Sequence, residues 1–294
     1  MMADPEIVLQ EGDLVAGIAL RGAELRLLKA GGQSLLWSGD PQWWSFVAPI
    51  LFPIVGKPPG GYLEHRGRKL ALAPHGFART STFEVQEFTT SRVLLKLSVS
   101  DQTWANYPFD FVLEVEFRIA DGQLLQTVVI RNLGAELMPA SFGFHPALRW
   151  PSGGGQPDRD GYRLEFAMAQ AGSWFRVAPS GCLVPTDAPS FSPVKILALH
   201  DELFARGALV IDPCDGCSVR VFDTQGALLE LIWSGCSQLG LWSLPGAPFF
   251  CIEPWQGHPP QEGASNSLMD KPGGFHLLPG KSRAFSLAIR PAHR

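Results

Sequence analysis

A period of two runs through this chain and rules out a helical fold. From Phe109 to Ile119 the odd positions are Phe109, Phe111, Leu113, Val115, Phe117 and Ile119, while the even ones include Asp110, Glu114, Glu116 and Arg118. That is a strand with one wet face. Val93, Leu95, Leu97 and Val99 alternate in the same way, as do Phe285, Leu287 and Ile289. Turn signals separate such runs: Asp121-Gly122, Pro151-Ser152-Gly153-Gly154-Gly155, Asp215-Gly216, Pro272-Gly273-Gly274 and Pro279-Gly280. One short helix is expected, over Leu199 to Arg206. The fold class is therefore all-β, a large antiparallel β-sandwich in which hairpins join the strands. No internal repeat is visible, and Gly153 to Gly161 reads as a mobile loop. The expectation is one domain spanning residues 1–294.

Composition narrows the function. Hydrophobic residues make up 46% and charged residues 18%, enough for a large interior, and the net charge of −4 has no long run of either sign. Nucleic acid and anionic membrane are thus not expected partners. The N-terminus lacks a basic start and an apolar stretch, and no apolar run nears the roughly 20 residues of a membrane span. The five cysteines are scattered and odd in number, which does not suit a disulfide framework. A cytoplasmic location is expected, with the oligomeric state open between monomer and homodimer.

Three segments carry chemistry. Cys251-Ile252-Glu253-Pro254-Trp255 places an acid two residues from an indole. A carboxyl group held against Trp and Pro loses solvation, which suits general-base work, and the face of a Trp suits a sugar ring. Structural pairing of Glu253 is the competing reading. In Phe144-His145-Pro146-Ala147 the proline biases His145 toward extended backbone, and a half-desolvated imidazole can act as an acid near neutral pH; a satisfied core histidine is the plainer alternative. His75 and Arg79 lie four apart around Gly76, either as a turn with a surface Arg or as donors to an anionic or polyhydroxyl ligand. Cys214-Asp215-Gly216-Cys217 has zinc-knuckle spacing without a second pair, so a turn is expected there and no metal. No P-loop, dinucleotide fingerprint or nucleophile elbow occurs, and no cofactor is expected. Trp43, Trp44, Trp104 and Trp150 are open to lining a site or filling the core, with most assigned to the core.

Together the segments resemble the aldose 1-epimerase (galactose mutarotase-like) superfamily. The motifs occur in its order: Pro49 to Gly56, His75-Gly76-Phe77-Ala78-Arg79, Phe142 to Ala147, Leu241-Trp242-Ser243, then Cys251 to Trp255. The likeness spans roughly Ala48 to the C-terminus. It implies that superfamily's antiparallel supersandwich, with His145 as general acid and Glu253 as general base. It also implies that His75, Arg79, Trp255 and an Asp, aligned with Asp201, bind a monosaccharide. The implied reaction interconverts the α and β anomers of a hexose or related aldose. Gly56-Lys57-Pro58-Pro59 stands where galactose mutarotases carry Asn-Arg, which argues against galactose itself, and Gln256 and His258 fall where specificity varies. Two alternatives are carried: a hexose-6-phosphate 1-epimerase, and a carbohydrate-binding β-sandwich without catalysis.

Overall fold

The computed structural model describes residues 5–151, 161–186 and 193–292. The expected loop at Gly153 to Gly161 falls almost wholly outside them. Strands dominate, and every ladder between named strands is antiparallel.

Two large sheets make the sandwich. The first has nine strands in the order Val194–Ala198, Arg163–Gln170, Ser218–Asp223, Gly226–Ser234, Ser282–Pro291, Gln123–Asn132, Phe111–Ala120, Arg92–Ser98 and Glu84–Phe88. The second has eight. Its path runs Leu183–Pro185, Ser173–Val177, Leu209–Asp212, Gln238–Trp242, Phe249–Gln256, Phe142–Phe144 and Ile50–Leu51, and Ala147–Arg149 also pairs with Phe249–Gln256. A four-stranded sheet from Ile7 to Ser34 adds to this body.

The period-two reading holds residue by residue. Phe111, Leu113, Val115, Phe117 and Ile119 are buried, as are Val93, Leu95, Phe285, Leu287 and Ile289. They join one contiguous hydrophobic cluster with Ile50, Phe142, Phe144, Phe250 and Ile252 of the eight-stranded sheet. The rings of Phe142 and Phe285 stack across the two sheets with centroids 4.5 Å apart. Burying one methyl-rich face per strand is the main source of stability here, at roughly 25 cal/mol per Å² of apolar surface.

The helical reading needs one correction. A helix does form at Asp201–Phe204, but a second occupies Asp101–Asn106. It has no amphipathic signature. It is nucleated by a capping box in which the Ser100 and Thr103 side chains each bond the other's backbone N–H. Among the described residues no helix is long and apolar enough to cross a membrane.

Candidate active site

The strand Phe249–Gln256 organises the site. Residues Phe142 and Gly143 pair with Gln256 and Trp255, and Ala147 and Leu148 pair with Cys251 and Phe250. Extending either ladder inward sets His145 opposite Glu253. The ladder breaks there at Pro146, which has no N–H to give; its carbonyl still accepts the Ile252 N–H at 3.3 Å. Alternation then divides the sheet. Phe144, Phe250 and Ile252 face the inter-sheet core, and His145, Cys251, Glu253 and Trp255 face the other way.

On that face lies a cavity of about 470 Å³, whose lining includes His75, Arg79, His145, Glu253, Lys57, Trp44, Trp242 and Trp255. A volume of this size suits a small ligand. A larger concavity of about 600 Å³ around Thr80 and Asn106 gathers no comparable set, and one of about 360 Å³ gathers His65, Asp110 and Glu136 beside Trp104 and Phe109, of which Trp104 is exposed.

His145 and Glu253 are 6% and 1% exposed. Nε2 of His145 lies 3.0 Å from Oε2 of Glu253. The contact is close but poorly aligned: Oε2 and the His145 Nδ1 both lack a hydrogen-bond partner among the described residues. Buried polar atoms left unpaired are costly, and here they belong to two residues that line the cavity. The Trp44 ring lies over the His145 ring, centroids 4.8 Å apart and tilted by 30°, and the Trp242 ring meets it edge-on at 5.8 Å.

His75 is held by a reciprocal clasp. Its N–H donates to the Gly56 carbonyl at 2.9 Å, and the Gly56 N–H donates to its Nδ1 at 3.3 Å. It takes φ +66°, and Gly76 beside it has φ +74°. A Cβ on Gly76 would fall 2.2 Å from the Phe52 carbonyl oxygen, so only glycine fits. Burial, then the proximity of His145, Arg79 and Lys271, pushes the His75 imidazole well below its ordinary range. Neutral, with Nδ1 accepting, it carries its proton on Nε2 and is a donor. Its ring meets His145 edge-on at 5.8 Å. Arg79 donates from Nη2 to the Pro74 carbonyl at 2.8 Å and stacks over Phe46 at 4.8 Å. Burial lowers its guanidinium from the ordinary value, and Glu24 counters this.

Trp255 is nearly buried, and its indole fits only because two neighbours lack side chains. A Cβ on Gly143 or on Gly240 would lie 2.6 Å from it. Its Nε1 has no partner among the described residues.

Five of the six expected site residues thus share one cavity. Asp201 does not. It opens the helix Asp201–Phe204, and its carboxylate accepts the Gly246 N–H at 3.3 Å, serving a turn outside the cavity lining. Gln256 and His258 also lie outside the lining. Gln256 donates to the Gly273 carbonyl and accepts from Arg283. His258 contacts Asp212 at 3.3 Å and the Pro259 carbonyl at 2.7 Å.

Sequence reasoning left Trp44 between site and core and did not single out Trp242 as a site residue. Among the tryptophans assigned to the core, Trp150 is fully buried, but Trp43 and Trp104 are exposed and Trp44 lines the cavity. Trp44 is placed by contacts on either side of it: the Trp37 indole N–H donates to its carbonyl, and the more distant Glu24 accepts the N–H groups of Val47 and Ala48. The motif Leu241-Trp242-Ser243 was a signal that could have found Trp242.

Sheet and cavity together define an all-β sandwich that holds an imidazole–carboxylate pair in a cavity the size of a small ligand. The chain belongs to the aldose 1-epimerase family, which it matches over residues 5–168. It is 30% identical over 269 residues to protein LacX, plasmid, of Lactococcus lactis subsp. lactis, covering 88% of this chain and 90% of that one. Its fold is similar to that of a galactose mutarotase-like protein from Lactobacillus casei (TM-score 0.88, 27% identity, 97% of this chain and 99% of that one). A galactose mutarotase related enzyme from Lactobacillus acidophilus shares the fold at TM-score 0.88 and 24% identity, covering 99% and 98% of the two chains.

Proposed function

We propose that this protein is a mutarotase that interconverts the α and β anomers of a free hexose or related aldose. One observation carries the reading: His145 and Glu253 oppose each other in register, buried, 3.0 Å apart and incompletely bonded, at the cavity. Family membership supports it.

Anomers exchange by opening the hemiacetal ring. Glu253 takes the proton of the C1 hydroxyl while protonated His145 gives one to the ring oxygen. The C1–O5 bond breaks and the C1 hydroxyl becomes an aldehyde. Rotation about C1–C2 presents the other face, and the ring closes with the proton transfers reversed. General acid and general base each contribute on the order of 10²–10⁴ in rate. The His75 Nε2–H and the Arg79 guanidinium donate to sugar hydroxyls, and the indoles of Trp44, Trp242 and Trp255 supply flat apolar walls. The chemistry requires no cofactor. We take residues 1–294 as one domain, a reading supported by the core cluster that runs from Ile7 to Ile289.

A second reading has its own observation. Lys57 and Arg79 both line the cavity, and two cations suit a 6-phosphate. Arg79 is already bonded to Pro74 and stacked on Phe46, which favours the neutral sugar. Polarimetry on freshly dissolved α-sugars, with and without a 6-phosphate, tests both. Acceleration of neither class would leave a binding module and overturn the proposal.

A further inference from the structure

The mechanism leaves one polarizable group beside the acid–base pair unused. The Cys251 Sγ, a ring nitrogen of His145 and a carboxylate oxygen of Glu253 all lie within 4.8 Å of one another, and all three residues are buried. Topology explains the cluster. Cys251 and Glu253 are two apart on one strand and so share a face, and His145 crosses from the neighbouring strand between Gly143, opposite Trp255, and Ala147, opposite Cys251. The second, independent observation is the unpaired state of the carboxylate: Glu253 Oε2, 3.0 Å from the His145 Nε2, is buried and has no hydrogen-bond partner among the described residues.

We propose that His145, Cys251 and Glu253 form a binding site for a thiophilic divalent cation, Zn²⁺ foremost, and that its occupancy shuts off mutarotation. The inhibitory half rests on the proposed function; the binding half does not. One sulfur, one imidazole nitrogen and one carboxylate oxygen make the three-ligand set of an open zinc site, whose fourth position goes to water or a sugar hydroxyl. The sulfur selects Zn²⁺ or Co²⁺ over Mg²⁺ and Ca²⁺, which take oxygen ligands. Ligand atoms about 2.0–2.3 Å from a tetrahedral centre lie under about 4 Å apart, so the trio has to draw in by up to about an ångström. On binding, the Cys251 thiol releases its proton to solvent and His145 coordinates as the neutral imidazole. Thiolate and carboxylate then balance the two positive charges, with no redox change. The cation enters through the cavity, which His145 and Glu253 line; Cys251 lies beneath them. Bound there, it occupies the proposed base and acid at once.

The test uses Co²⁺ as the probe, because Co²⁺–thiolate bonds give an intense near-ultraviolet charge-transfer band. The protein carries C214S and C217S, which removes the closely spaced cysteine pair as a competing site. One equivalent of Co²⁺ should raise the band, and Zn²⁺ should bleach it. Adding C251A or C251S should abolish the band, and E253Q should weaken Co²⁺ affinity at least tenfold; two Cys251 variants guard against one that fails to fold. Saturating Zn²⁺ should slow mutarotation at least tenfold, reversibly with a chelator. The C251A rate, relative to its own cation-free value, should respond at least tenfold less sensitively. A band that persists without Cys251, or no band in the parent, overturns the site. Zn²⁺ that displaces Co²⁺ yet leaves mutarotation unchanged or faster overturns the inhibition. A Cys251-dependent band in a protein that turns over no sugar upholds the site and refutes the proposed function instead.

Discussion

His145 stands across from Glu253 at the break in the ladder beside the strand Phe249–Gln256, its Nε2 3.0 Å from the Glu253 Oε2. The pairing follows from register, and alternation along the two strands turns both side chains to the cavity face.

Glu253→Gln keeps the shape of the carboxylate and loses its capacity to take a proton. Mutarotation, followed as the decay of optical rotation of whichever α-sugar the wild type accepts, should stop while circular dichroism stays native. A residual rate above about a tenth of wild type would remove Glu253 from the role of base.

His145→Asn should be as inactive but still bind sugar. Asn can hydrogen-bond the ring oxygen and cannot protonate it. Calorimetric titration should return an affinity within about tenfold of wild type, because the Asn amide still donates a hydrogen bond where the imidazole did. Near-normal turnover would exclude His145 as the acid.

Arg79→Ala separates the two substrate classes. For a neutral sugar the loss should be roughly the 1.5–3 kcal/mol of a charged hydrogen bond, similar across sugars. For a sugar phosphate, KM should rise far more for the phosphorylated than for the free form, because a guanidinium fork matches phosphate oxygens. A wild-type preference for 6-phosphates above about tenfold in kcat/KM would overturn the neutral-sugar reading.

Gly240→Ala tests the packing under the cavity. Its Cβ would meet the Trp255 indole at 2.6 Å. Overpacking of this kind costs about 1–3 kcal/mol, and the indole has to shift in the cavity wall. A lower Tm and a higher KM should appear together. An unchanged Tm would show that the indole yields freely.

Lys271 supplies a pH dependence. Its Nζ donates to the His258 carbonyl at 2.8 Å, and burial pulls the amine down from 10.5 to about 7. Between these two values the unfolded chain holds a proton that the folded chain has released, so this group makes stability rise with pH across that window. Lys271→Met should remove that rise. Tm compared at pH 7, 8 and 9 reads it directly; parallel curves for the two proteins would refute the assignment.

The strands were legible because alternation is local. Phe111 to Ile119 bury every odd position, since the pleat alone decides which way a side chain points. The helix at Asp101–Asn106 was not, because its signal is two hydroxyl side chains capping a polar turn in place of an apolar stripe. Motif order brought His75, Arg79, His145, Glu253 and Trp255 into view but misplaced Asp201, whose carboxylate serves the Gly246 turn.

Sequence by itself thus determined the all-β class, the wet and dry faces of the long strands, and the residue types able to move a proton. Only the tertiary structure decided which of them meet. Register between strands about a hundred residues apart sets His145 against Glu253 and Gly143 against Trp255, and the adjoining strand places Gly240 against the same indole. Contacts from Glu24 and Trp37 hold the segment that brings Trp44 over His145. Alternation says which face a residue takes; it carries no information about what lies across from it, because pairing depends on the packing of the whole sandwich.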